Sequence, residues 1–228
     1  MVDMRYMYYV GKQSDIRRSI IDEMHMERKR CFIDELNWDI EHQSGLEIDQ
    51  FDHSQTEYVI VQEGGIHASS LRLHNNKISS SLMSAISQES YESSDEVWEL
   101  SRFISSNFSF SSSEYILITA AFYRLAELNV PIVYATLNIS TARLFRMLGI
   151  EIHVENRFPC KLENCKNYMI KTDLAAFERF YRRVPNRDSA ILRTLSPVQV
   201  LKNADARLGR YPMVLGRPKQ APLIHDDI

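Results

Sequence analysis

Six charged residues stand where the surrounding pattern is apolar. Arg28 falls on the stripe Ile16, Ile20, Met24, Phe32, Leu36, and Arg72 interrupts a strand-like run between Leu71 and Leu73. Asp49 and Asp52 flank Phe51, and Glu99 and Arg102 share the run VWELSRFI with Trp98, Leu100 and Phe103. A carboxylate in such surroundings can take a proton from a reacting group. A guanidinium can clamp a carboxylate with two parallel hydrogen bonds. The same six residues also read as structural ion pairs near a sheet edge, because buried charges pair with one another. From charge alone, pairing is the simpler reading. Residues three apart on a strand face opposite sides, so Glu99 and Arg102 can share a cleft only if a bulge intervenes.

The elements that must position these groups follow from periodicity. Met4–Val10 reads as a first strand, and Asp15 to Asn37 as one long amphipathic helix capped by Ser14 or Asp15. Ser44-Gly45 ends it, and Leu46–Asp52 is an acidic loop. Tyr58–Gln62 and Ile66–Leu73 form a hairpin about Gly64-Gly65. Leu82–Ser87 reads as a short helix, Val97–Ile104 as a strand and Ser105–Ser113 as a serine-rich loop. Then come a helix over Glu114–Leu128, a strand over Ile132–Leu137, a helix capped by Ser140 and stopped by Gly149, and a strand over Ile150–Val154. Leu174–Val184 looks helical, and Gly209–Ile228 reads as an extended tail. This is a mixed α/β order. It divides into a domain over 1–184 and a C-terminal extension over 185–228.

The bulk properties exclude several classes. A net charge of −3 over 228 residues gives no basic field for nucleic acid. No segment approaches the ~20 apolar residues of a membrane span, and the first residues lack the pattern of a signal peptide. A cytoplasmic protein is expected. Cys31, Cys160 and Cys165 are too few for a disulfide framework, and the spacing of the last two does not suit zinc, so no metal site is expected.

The ordered motifs resemble one family. Arg28, Phe32 and Trp38 are followed by Glu47, Asp49, Phe51 and Asp52 in a Glu-x-Asp-x-Phe-Asp setting. Arg72 then lies in Leu-Arg-Leu, and Trp98–Phe103 reads Trp-Glu-Leu-Ser-Arg-Phe. Together, over about residues 24–155, they are similar to the LuxI-type autoinducer synthases, which make acyl-homoserine lactones. Two places depart from the family pattern. Its Leu-Pro-Thr after the Arg72 strand is His74-Asn75-Asn76 here, and its late Gly-Trp is Gly149-Ile150.

The resemblance implies an acetyltransferase-like (GNAT-like) fold, a three-layer α-β-α sandwich whose splayed mixed sheet opens a V-shaped cleft between Val97–Ile104 and Ile132–Leu137. It implies two substrates and no cofactor: S-adenosylmethionine, and an acyl group carried by acyl carrier protein or coenzyme A. The amine attacks the thioester; the methionine carboxylate then closes the lactone and expels methylthioadenosine. On that reading Glu99 is the general base, and Arg28 and Arg102 hold the carboxylate. Phe32 and Trp38 offer aromatic faces to the sulfonium or adenine. Asp49 and Asp52 neutralise these two arginines and order the loop over the nucleotide, Arg72 counts among the substrate-binding residues, and backbone N–H groups around Ser101–Phe103 serve the oxyanion. The acyl chain lies against Leu100, Phe122, Leu125, Val133, Thr136 (or Ala135), Leu144 and Met147. Arg143 and Arg146, or Arg179, Arg182 and Arg183, can meet an acidic carrier protein. The competing readings are an acetyltransferase-fold enzyme that joins acyl-coenzyme A to a different amine, and a relative without catalysis.

Overall fold

The computed structural model describes residues 5–40, 42–75, 98–105, 112–155 and 164–197. Its strands are β1 (Tyr6–Lys12), β2 (Glu57–Glu63), β3 (Ile66–Asn75), β4 (Trp98–Ser105), β5 (Ile132–Asn138), β6 (Ile152–Val154) and β7 (Cys165–Lys171). They form one open sheet in the order β1-β2-β3-β4-β5-β7-β6. The helices are α1 (Arg18–Lys29), α2 (Ser112–Glu127), α3 (Ile139–Met147), α4 (Leu174–Tyr181) and α5 (Ala190–Thr194). None of the described helices is long and apolar enough to cross a membrane.

Alternation along β2 and β3 feeds two cores. Val59, Val61, Leu71 and Leu73 belong to a large core with α2, α4 and α5. Tyr58 and Ile60 point the other way and pack, with Tyr9, against Ile20, Ile21 and Met24 of α1. Helices therefore cover both faces of the sheet, the expected three layers. Gly64 and Gly65, at φ 61° and 86°, make the tight β2–β3 turn that two consecutive left-handed residues allow.

Two features of β4 shape the rest. Its parallel pairing with β5 covers only Trp98↔Val133, Glu99↔Tyr134 and Leu100↔Ala135, after which the two strands no longer pair. This is the splayed cleft. On its other side, β4 pairs with β3 through Arg72↔Ser101 and Ser70↔Ile104, so Arg102 and Phe103 together oppose Leu71. That is a bulge, and Arg102 sits in it at φ 53°.

Several local expectations change. The first helix does not run to Asn37: α1 ends at Lys29, and Arg30–Glu35 form a π-helical turn. Asn138, not Ser140, caps α3, accepting the Thr141 N–H at 2.8 Å. Strand β7 inserts between β5 and β6, and the last predicted strand shortens to Ile152–Val154. Leu192 and Leu195 are buried in the main core, so packing continues past residue 184. The predicted helix over Leu82–Ser87, most of the serine-rich loop, Cys160 and the tail over Gly209–Ile228 lie outside the described residues.

Candidate active site

Residues opposed across a strand pair share a face of the sheet, so the register locates the site. Tyr58 opposes Arg72, Arg72 opposes Ser101, and His74 opposes Glu99. All therefore lie on the α1 face, where α1 ends. The bulge turns Arg102 onto that face as well, which resolves the three-residue spacing from Glu99.

There the charges form one network. Arg28 binds Glu47 and grips Asp52 with two bonds of 2.8 Å. Arg72 is bidentate to Asp49, at 2.5 and 3.1 Å, lies 3.0 Å from Asp52, and donates Nε–H to the Ser101 hydroxyl at 2.9 Å. Arg102 donates to Glu47 at 2.8 and 3.1 Å and to Asp49 at 2.8 Å. Three guanidinium groups thus share three carboxylates, with Tyr58 donating its hydroxyl to Asp52 at 3.0 Å. The 47–56 loop is pre-folded for this role. Asp49 Oδ1 accepts from Phe51 N and Asp52 Oδ2 from Asp49 N, while α1 is tied in by His25 and Glu47.

Burial sorts the members. The side chains of Arg28, Arg72, Glu47 and Asp52 are at most 1% exposed, whereas Arg102 and Asp49 are 12% and 22% exposed. Burial alone raises the Asp52 pKa, but Arg28 and Arg72 overcome it and hold the carboxyl well below the usual range. The same carboxylates keep Arg72 firmly charged despite burial. Arg28 was expected to hold substrate; its place is that of a counter-ion inside the wall. Arg102 reaches the surface of the wall, with Nε and Nη2 committed to Glu47 and Asp49 and Nη1 facing outward from those bonds.

An aromatic rim borders Arg102. Its guanidinium carbon lies 5.3 Å from the Phe32 ring centroid, and Phe32 stacks on Trp38 at 4.8 Å and 24°. Phe32 is buried, while Trp38 is 44% exposed. The π-helical turn creates this step, because Trp38 N–H reaches back six residues to the Phe32 carbonyl at 2.8 Å.

The expected acyl-lining residues divide. Leu100, Val133 and Ala135 are buried where β4 and β5 last pair. Leu144 is half-buried, and Thr136 donates its hydroxyl to Asn167 at 2.6 Å. Phe122 stacks on Phe177 and Phe180 of α4, and with Leu125 belongs to the core between helix and sheet. Met147 is 71% exposed, because it ends α3 on the solvent side, and it is not among the packed core residues. Sequence reading missed Phe145, which meets Phe103 edge-to-face at 5.7 Å beyond the last β4–β5 pair. It also gave no role to Glu47, buried between two arginines, or to His74. Glu47 carried a usable signal, an acid two residues before Asp49 in the same motif.

The comparisons with known proteins agree with this geometry. The autoinducer synthase family profile matches residues 12–123, the span that supplies every member of the charge network. Over these residues, just under half of its length, the chain is similar to the autoinducer synthase family, and it is an acyltransferase. It is 26% identical over 147 residues to the acyl-homoserine-lactone synthase of Aeromonas salmonicida, covering 60% of this chain and 71% of that protein. The fold matches the solved AHL synthase LasI with a TM-score of 0.64 at 18% identity, over 79% of this chain and 96% of that one. It also matches BjaI, a CoA-dependent acyl-homoserine lactone synthase solved with SAM and isopentyl-CoA. There the TM-score is 0.64 at 16% identity, over 78% of this chain and 89% of the other.

Proposed function

We propose that this protein joins an acyl group to S-adenosylmethionine at the α1 face of the β4–β5 cleft and releases an acyl-homoserine lactone. The carrying observation is the juxtaposition on one face of Glu99, the Arg102 bulge and the Phe32–Trp38 rim, beside the point where the strands part. Three guanidinium groups balance three carboxylates in the network, and Glu99 lies beside it on the same face of the sheet.

Glu99 takes a proton from the α-ammonium, and the amine attacks the thioester carbonyl. The developing oxyanion is met by backbone N–H groups of the bulge, and the thiol leaves as the amide forms. Arg102 holds the methionine carboxylate through Nη1. This carboxylate then attacks its own γ-carbon, closing the ring as methylthioadenosine departs. Trp38 and Phe32 face the sulfonium or adenine. The acyl chain enters between β4 and β5 against Leu100, Val133, Leu144, Phe103 and Phe145. The donor is acyl carrier protein or acyl-coenzyme A; exposed Arg143, Arg146, Arg182 and Arg183, with Arg179, supply a basic surface for an acidic carrier.

The test is mass spectrometry of products from purified protein supplied with S-adenosylmethionine and either acyl-carrier protein or acyl-coenzyme A. Acyl-homoserine lactone and methylthioadenosine in equal amounts are expected. Acylation of another amine, with S-adenosylmethionine untouched, points instead to a different acetyltransferase-fold enzyme.

A further inference from the structure

His74 occupies the cross-strand position opposite Glu99, with its Nε2 3.7 Å from Glu99 Oε2. Its side chain is fully buried, and neither ring nitrogen has a hydrogen-bond partner among the described residues. The ring is held by tilted packing on Phe51 at 5.2 Å, and Phe51 in turn lies 5.6 Å from the Arg72 guanidinium carbon. Burial, then Arg72, bring its pKa down to about 3, against the opposing pull of Asp49 and Asp52 and with His53 also nearby. The imidazole is therefore neutral and carries one N–H. A buried polar group without a partner is costly to keep.

We infer that His74 is the positioning residue for Glu99: its neutral imidazole donates Nε2–H to one carboxylate oxygen and so aims the other at the substrate amine. The gap of 3.7 Å closes to hydrogen-bond length with a movement of less than about 1 Å. A neutral donor suits the task. A lysine or arginine would fix the carboxylate equally well but, by stabilising its charged form, would weaken it as a base.

The inference rests on Glu99 being the base, so the test is a double-mutant cycle. Turnover and the S-adenosylmethionine KM are measured for wild type, His74→Leu, His74→Gln and Glu99→Gln, and for His74→Leu combined with Glu99→Gln. His74→Leu is expected to stay folded and to lower kcat by about ten- to hundredfold, the worth of a hydrogen bond to a charged group. KM should move by less than about twofold. His74→Gln, which keeps an N–H near the Nε2 position, should recover most of the loss. In the Glu99→Gln background His74→Leu should add nothing. Should leucine not fold, His74→Met carries the same comparison. Wild-type kcat in a folded apolar variant overturns the inference, as does glutamine performing no better than leucine. An undiminished His74 effect without the Glu99 carboxylate does the same. Full turnover by Glu99→Gln alone removes the base itself, a failure visible before any His74 variant is compared.

Discussion

Arg102 lies over the ring of Phe32, 5.3 Å from its centroid, while the same guanidinium donates to Glu47 and Asp49. One planar group thus joins the buried charges to the aromatic rim. A lysine has neither the fork nor the flat face. Arg102→Lys is expected to lower kcat/KM for S-adenosylmethionine by about ten- to hundredfold. Steady-state kinetics check this, and unchanged kcat and KM would remove Arg102 from the carboxylate clamp.

Glu47 binds both Arg28 and Arg102 with its side chain fully buried. Glu47→Gln leaves Arg28 with less compensation in a dry place. A loss of ~3–5 kcal/mol in urea unfolding is expected, as when one partner of a buried pair is removed. Asp22→Asn, in the exposed Arg18–Asp22 pair, should cost under ~0.5 kcal/mol. Equal costs for the two would show that the network contributes no more than a surface pair.

Trp38 is stacked on Phe32 yet 44% exposed, so it is not a core residue. Trp38→Ala should weaken S-adenosylmethionine binding by about 1–2 kcal/mol, the scale of a desolvated cation–π contact. Thermal stability should change little, against the ~3–5 kcal/mol lost on truncating a core tryptophan. Calorimetric titration and thermal unfolding on one preparation decide between these.

Buried His67 and His74, with His25 shifted the same way by burial and Arg28, set a pH dependence of stability. Burial brings His67 to about 4, and burial with Arg72 brings His74 to about 3, both below an unfolded value of about 6.5. Between those values the unfolded chain binds more protons, so stability is full above about pH 6.5 and declines as pH falls toward 4. Asp52 acts the same way lower down, its contribution being lost below about pH 3.9. Unfolding free energies from urea titrations at pH 7, 5.5 and 4 should fall progressively, by ~3–6 kcal/mol in all. A flat profile would mean that the histidines open to water before they titrate.

Much of this was legible in the residues. A β-rich run ended by Gly64-Gly65 marked the β2–β3 hairpin, and the spacing of Glu99 and Arg102 allowed a shared cleft only with the bulge that β4 contains. The joint motifs from Arg28 to Phe103 carry the resemblance to the autoinducer synthases by themselves. What escaped has physical causes. A π-helical turn has no sequence periodicity of its own, so Ile16–Leu36 read as one helix. Strand β7 pairs between β5 and β6, a long-range choice invisible in a local window. Arg28 and Arg102 look alike in sequence, and only burial separates the counter-ion in the wall from the group at its surface. His74 stood out as a departure from the family pattern, but its cross-strand partner is fixed by the β3–β4 register.

The most direct test of the whole account is the rate of thiol release by purified Glu99→Gln, with S-adenosylmethionine and acyl-carrier protein or acyl-coenzyme A, whichever the wild type uses. The variant must first show a wild-type unfolding midpoint. A carboxylate acting as base predicts that turnover falls by ~10²–10⁴ while S-adenosylmethionine still binds. Turnover within about threefold of wild type, well short of the contribution of a positioned base, would contradict it.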